Sequence, residues 1–320
     1  MPTGDVLPLL LMLFGLVAIG HLLRAAGVVP PNAADVLARV LVRVTVPALI
    51  VVILADARFD PALLPALAAA ALALLAALLL TLLLTRRLGL SRPAQGAAAL
   101  TASFSNTAFL GLPFILALYP DTPAAATAAV LVDTFVTTIL LLTLGVSVAA
   151  AMAHERRPAP APLSRHLLAL LRDLLRRPLV LAVLVGLALA ASGLALPSPV
   201  AAPLRQIGGA TPTLAFLTIG LGLDLQALRG RTRPLLLIAA LKLLLTPTLA
   251  ALLLIALGVR GEAAQVAVLQ SAMPTAVVSG IIAAEAGCDR GLASGAPVIT
   301  TLLALLTLPL AIAAIRASGL

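Results

Sequence analysis

The chain has 320 residues, 62% apolar and 10% charged, with a formal charge of +9 at pH 7, whereas soluble domains run at roughly 45–50% apolar and about 25% charged. A water-soluble domain of this size is excluded, and at about 20 residues per membrane-spanning helix the apolar stretches use up the length, leaving no second, soluble domain. A single cysteine, Cys288, and three scattered histidines, His21, His154 and His166, exclude a disulfide framework and a clustered metal site, so no cofactor is expected.

Ten apolar runs between breakers predict ten helical spans: 6–24, 35–55, 61–85, 94–118, 124–150, 178–196, 199–223, 234–257, 262–284 and 291–315. Continuous runs of this length satisfy their own backbone hydrogen bonds as helices, whereas barrel strands would be short and alternating. The first run follows an acidic N-terminus and has no small-residue cleavage site, so it reads as a retained span and not a signal peptide. The connection 151–177 opens with RRPAPAPLSR and continues as RHLLALLRDLLRRP; it reads either as a basic helix lying on the inner leaflet or as a solvated linker.

The basic residues set an orientation, because Lys and Arg are retained on the cytoplasmic side of the membrane. With the N-terminus outside, fourteen of the 21 lie in inside connections and only Arg58, Arg260 and Arg316 outside. Both termini are therefore expected outside a plasma (inner) membrane, with 151–177 cytoplasmic. The positive charge follows bilayer topology, and nucleic acid is not an expected partner. The connection divides the chain into five spans (1–150) and five spans (178–320), and two similar five-helix halves in one chain must insert in opposite orientations. An all-α membrane protein built as a 5+5 inverted repeat is expected.

Spans 4 and 9 are unusual for lipid-facing helices. Thr101, Ser103, Ser105, Asn106 and Thr107 crowd the middle of span 4, with Gly111 and Pro113 beyond; span 9 carries Gln270, Ser271, Pro274, Thr275, Ser279 and Gly280. Proline removes a donor and displaces the carbonyl four residues earlier, so both segments can unwind within the membrane. The freed N–H and C=O groups then need partners, which in transporters are a solute and its coupling ions, with half-helix N-termini favouring anions. Ser105, Asn106, Thr107, Pro113, Gln270, Pro274 and Thr275 are accordingly the expected substrate-binding set. Close packing of small residues around a kink is the competing structural reading.

The segments SNTAFLGLPFILAL (105–118), QSAMPTAV (270–277) and AAEAGCDRGLAS (283–294), with the ten-span layout, resemble the auxin efflux carrier family of prokaryotic transporters. The resemblance implies a fold like that of bile-acid symporters and sodium/proton antiporters. Spans 4 and 9 then cross as broken helices in a core of spans 3–5 and 8–10, and spans 1, 2, 6 and 7 form a scaffold. By position, Asn106, Thr107, Pro113, Pro274 and Thr275 fall at the crossover. Plant members of the family export indole-3-acetate and bacterial relatives are associated with malate or malonate, which implies a small organic anion, a carboxylate, as substrate. Many prokaryotic relatives have asparagine after PTAV, where this chain has Val278.

Ionisable residues inside spans are costly and point to function unless they can snorkel. Arg39 and Arg205 lie near span ends, whereas Arg43 lies deeper and is a candidate anion contact. Asp133 enters span 5 by roughly 13 Å and Lys242 enters span 8 by roughly 12 Å from the other side, which makes an ion pair between them feasible. They are expected either to neutralise each other or to carry a proton in exchange for substrate. The leading expectation is a secondary transporter using alternating access, coupled to H+ or Na+ or uncoupled, with membrane lipids and a second copy, through the scaffold helices, as partners. A sodium-coupled symporter of bile-acid type and a channel are the alternatives. An enzyme is not expected, since Ser103 and Ser105 have no histidine in a span at comparable depth.

Overall fold

The computed structural model describes residues 6–57, 59, 61–153, 172 and 174–320. Most of the basic connection, including Arg156, Arg157, Arg165, His154 and His166, lies outside the described residues, as does Arg58. In chain order the helices are α1 (Val6–Ala25), α2 (Ala33–Ala55), α3 (Leu63–Arg87), α4 (Arg92–Ser103) and α5 (Thr107–Leu118). They continue with α6 (Pro123–Met152), α7 (Pro178–Ser192), α8 (Ser198–Gly209), α9 (Thr211–Gly222) and α10 (Thr232–Ala256). The last three are α11 (Glu262–Ala272), α12 (Val277–Ala286) and α13 (Arg290–Ser318).

Six helices, α1, α2, α3, α6, α10 and α13, are long and apolar enough to cross a membrane. They occupy the segments expected for spans 1, 2, 3, 5, 8 and 10. Spans 4 and 9 are each divided, into α4 and α5 and into α11 and α12. Span 7 is divided as well, between α8 and α9 just ahead of Pro212, and α7 is short, ending at Gly193. Gly193 (φ 66°) and Gly287 (φ 99°) close α7 and α12 in the left-handed conformation that glycine adopts without a Cβ clash.

The helices pack in two groups. In the first, α1 lies against α9, and α7 and α8 lie against α2. These contacts bring backbones together: a Cβ on Gly20 would strike the Leu217 carbonyl, and one on Gly220 the Val17 carbonyl, while Gly186 and Gly208 make room for Leu54 and Leu49. Small residues at such crossings replace the hydrophobic drive that lipid cannot supply between helices. In the second group, α3 packs on α4, α10 and α11, and α13 packs on α12, α10 and α4.

Polar ties gather at opposite ends of the bundle. At one end Arg92 donates to the Ala151 carbonyl at 2.7 Å, the Asp289 N–H donates to the Pro93 carbonyl at 3.0 Å, and Arg231 grips both oxygens of Asp289 at 2.5 and 2.6 Å. At the other, the Tyr119 hydroxyl donates to Gln265, whose amide donates to the Leu320 carbonyl, both at 2.7 Å. Arg205 is paired with Asp56 at 2.8 Å, on the exposed surface. Asp289 also caps α13 by accepting from the Leu292 N–H at 3.0 Å. Burial raises its pKa, but the hydrogen bonds from Arg231 and Leu292 outweigh that and hold the carboxyl below its ordinary value.

Two outcomes follow from this packing. Gly220→Val should push α1 from α9 and lower stability by about 1–3 kcal/mol, seen as a fall in the melting temperature of the purified protein in detergent. A depressed carboxylate pKa adds stability at neutral pH that is lost as the pH falls through the carboxyl's range. Asp289→Ala should therefore cost about 0.5–2 kcal/mol at neutral pH, and its deficit relative to the parent should shrink on acidification in thermal unfolding across pH.

Candidate functional site

The interruptions of α4–α5 and α11–α12 meet. Phe104 and Met273 leave their helices in extended conformations, and Ser105 and Thr275 form an isolated antiparallel bridge. The Asn106 N–H donates to the Pro274 carbonyl at 2.7 Å and the Ala276 N–H to the Phe104 carbonyl at 2.9 Å. Each broken helix is thus the hydrogen-bonding partner of the other, which is how peptide groups survive away from water.

The carbonyl ends of the two half-helices are closed by side chains. For α4, the Thr275 hydroxyl donates to the Thr101 carbonyl at 2.6 Å and the Thr246 hydroxyl to that of Ala102 at 3.2 Å. For α11, the fully buried Lys242 Nζ donates to the Ser271 carbonyl at 2.6 Å, where the Ser105 hydroxyl also donates at 3.4 Å. A lysine at a helix C-terminus meets the negative end of the dipole. Gln270 donates to the Ala129 carbonyl at 3.2 Å, and its Oε1 lies against Gly111, where a Cβ would occupy the same space.

Several of these residues sit on π-helical turns. Thr107–Gly111, Leu41–Thr45 and Leu241–Leu245 each stand just before a proline, Pro113, Pro47 and Pro247. The ring displaces the carbonyl four residues earlier and widens the preceding turn. Arg43 and Lys242 lie on two of these turns. Asp133 lies on another, Val132–Thr138, for which no nearby proline accounts.

A cavity of about 180 Å³ opens beside the bridge. Its walls include Ser105, Asn106 and Thr107 from the first interruption, Ala276, Val277 and Val278 from the second, Asp133, Thr137 and Thr138 from α6, Val42 from α2, and Arg177 with the start of α7. The carbonyls four residues back from Ala108 and Phe109, those of Phe104 and Ser105, are turned to Ala276 and Thr107. The Pro274 carbonyl, four back from Val278, is taken by Asn106. Two half-helix N-termini therefore border one space with N–H groups left over. The Asn106 carboxamide, 6% exposed, has no hydrogen-bond partner among the described residues. Thr107 donates its hydroxyl to Asp133 Oδ1 at 2.5 Å.

Of the residues expected from sequence, Ser105, Asn106, Thr107 and Asp133 line this cavity. Pro274 and Thr275 hold the bridge beside it, Pro113 sits in the first turn after the widened segment, and Gln270 lies behind Gly111. The expected ion pair is corrected, and one expected residue lies apart from the cavity. Asp133 and Lys242 make no ion pair among the described residues: Thr107 takes Asp133 and the Ser271 carbonyl takes Lys242. Arg43 is exposed and lies off the cavity, while its neighbour Val42 lines it, since consecutive helical residues point about 100° apart. Arg177, Thr137 and Thr138 were missed. The threonines follow Asp133 by four and five residues on one helix face, a signal available in the sequence; Arg177 reads there as one more loop charge.

A multi-pass bundle, helical throughout the described residues, whose two broken helices cross beside a cavity has the architecture of membrane transport proteins. Residues 5–312 match the family model described as membrane transport protein, and the chain belongs to that family, the auxin efflux carrier family. It is also similar to a protein of Methanothermobacter thermautotrophicus described as an uncharacterised transporter, at 28% identity over 226 residues, 70% of each chain.

The Thr275 hydroxyl is the α4 cap that can be removed without changing side-chain volume. Thr275→Val should strand the Thr101 carbonyl and lower stability by about 1–3 kcal/mol, with Thr275→Ser recovering most of the loss in the same melting assay.

Proposed function

We propose that the protein is a secondary transporter that moves a small organic anion, a carboxylate, across the plasma membrane by alternating access, and that the anion binds in the cavity beside the Ser105–Thr275 bridge. The observation that carries this reading is the convergence of the α5 and α12 N-termini on one space. Their unbonded N–H groups and positive dipole ends suit a carboxylate, the partnerless Asn106 amide adds a neutral donor, and the Arg177 guanidinium stands at the mouth.

The cavity also lies between the two packing groups. Val42 and Arg177 to Val180 come from the group of α1, α2, α7, α8 and α9, whereas the bridge, Asp133 and Val277 come from the other. A rigid movement of one group against the other would expose the same cavity to alternate sides. This supports spans 1, 2, 6 and 7 as scaffold and spans 3–5 and 8–10 as core. The ten-span inverted repeat, with 151–177 cytoplasmic and both termini outside, fits the two polar ends. Ala151 and the Arg231–Asp289 pair share one end, and the Leu320 terminus lies at the other.

A melting screen of the purified protein against mono- and dicarboxylates tests the site. A bound carboxylate at one hundred times its Kd should stabilise by about 2.7 kcal/mol, and Asn106→Ala should remove most of that shift. Full retention of every shift in Asn106→Ala would place the anion elsewhere.

A further inference from the structure

We infer that the cavity binds its anion together with a proton held on Asp133, so that proton and anion cross in the same direction. The inference rests on the anion reading of the cavity and adds the coupling ion and its sign.

Asp133 is 5% exposed and lines the same space as the two helix N-termini. Its Oδ1 accepts from the Thr107 hydroxyl; its Oδ2 accepts no hydrogen bond among the described residues. An ionised carboxylate there faces any bound anion. At a separation of about 4 Å and an effective dielectric of about 20, two like charges oppose one another enough to weaken binding on the order of a thousandfold. A proton on Oδ2 removes that repulsion and turns the same oxygen into a donor, able to make a charge-assisted O–H···O hydrogen bond to the incoming carboxylate. Anion and proton thus favour each other's binding, and by linkage the effect is reciprocal.

Asp133 forms no ion pair among the described residues. On its own helix, α6, it is the one charged residue. The elements packed on the turn Val132–Thr138 are α3, α5, α7 and α11; α5 supplies the Thr107 hydroxyl and carries no charge, and the charges of α3 and α11, Arg86, Arg87 and Glu262, stand at helix ends. From α7 comes Arg177, the one other charged residue lining the cavity among the described residues, and it is exposed at the mouth. Lys242, which does not line the cavity, donates its Nζ to the Ser271 carbonyl. The coupling sign is opposite to that of an exchanger, in which ion and proton compete for one carboxylate: here the site's guest has the carboxylate's own charge.

The test uses the full chain in weakly buffered detergent solution, with malonate and indole-3-acetate as probes. Binding is followed by calorimetry and proton movement by a pH indicator. The expected result is uptake of about one proton per anion bound, with a Kd that rises with pH, approaching tenfold per pH unit where Asp133 is ionised in the free protein. Asp133→Asn keeps an acceptor for Thr107 and should bind the same probe with a Kd independent of pH and no proton uptake. Binding without proton uptake, or with proton release, overturns the inference while leaving the anion site standing. A pH slope that survives in Asp133→Asn also overturns it. If neither probe binds at any pH between about 5.5 and 8.5, the anion reading itself fails. Should the variant not fold, the proton count of the parent protein decides alone.

Discussion

A peptide group inside a bilayer has only protein to bond with, and a helix that stops at mid-depth leaves several such groups exposed at once. The crossing of α4–α5 with α11–α12 satisfies them by making each break the partner of the other, through Asn106 to Pro274 and Ala276 to Phe104. The two kinds of helix end are treated differently. Carbonyl ends are closed by Thr275, Thr246, Ser105 and Lys242, whereas the N–H ends border open space. That asymmetry leaves the positive dipole ends of two half-helices bordering the cavity that Asp133 also lines.

Prolines extend the same logic outward from the crossing. Pro47, Pro113 and Pro247 each follow a widened turn, and the widening places Lys242 where its Nζ reaches the end of α11 and brings Gly111 against Gln270. A straight α-helix through these residues would carry each side chain at a different angle. Lys242 is the costliest of them to bury, since an amine in the interior needs a hydrogen-bond partner to be tolerated. Its partner is a backbone carbonyl rather than a carboxylate, and Asp133 accepts from Thr107 instead.

The close contacts of α1 with α9 and of α2 with α7 and α8 join one set of helices into a unit, and the alanine- and threonine-lined faces of α3, α4, α10 and α11 join the other. Because the cavity has walls from both units, a change in their relative position would, on the proposed transport reading, alter access to it without breaking the crossing. Rigid units with a seam between them are what a transport cycle requires of a fold.

Much of this was legible in the residues. Long Ala/Leu runs are helices by the hydrogen-bond argument alone, and clustered polar residues with Pro113 and Pro274 mark where spans 4 and 9 break, because proline's lost N–H is a local property of the chain. Asn106, Thr107 and Asp133 stood out for the same reason: polar groups in apolar surroundings need partners. The division of span 7 and the shortness of α7 were not legible, since Ala and Leu make nearly every face look apolar. Nor was the pairing of the interior charges, because depth along a span says nothing about what lies between two helices. The sequence by itself therefore determined a membrane bundle with two interrupted spans. Only the tertiary structure decided that Asp133 turns to Thr107 and the cavity while Lys242 turns to a helix end, because which neighbour a buried charge meets depends on how distant segments cross.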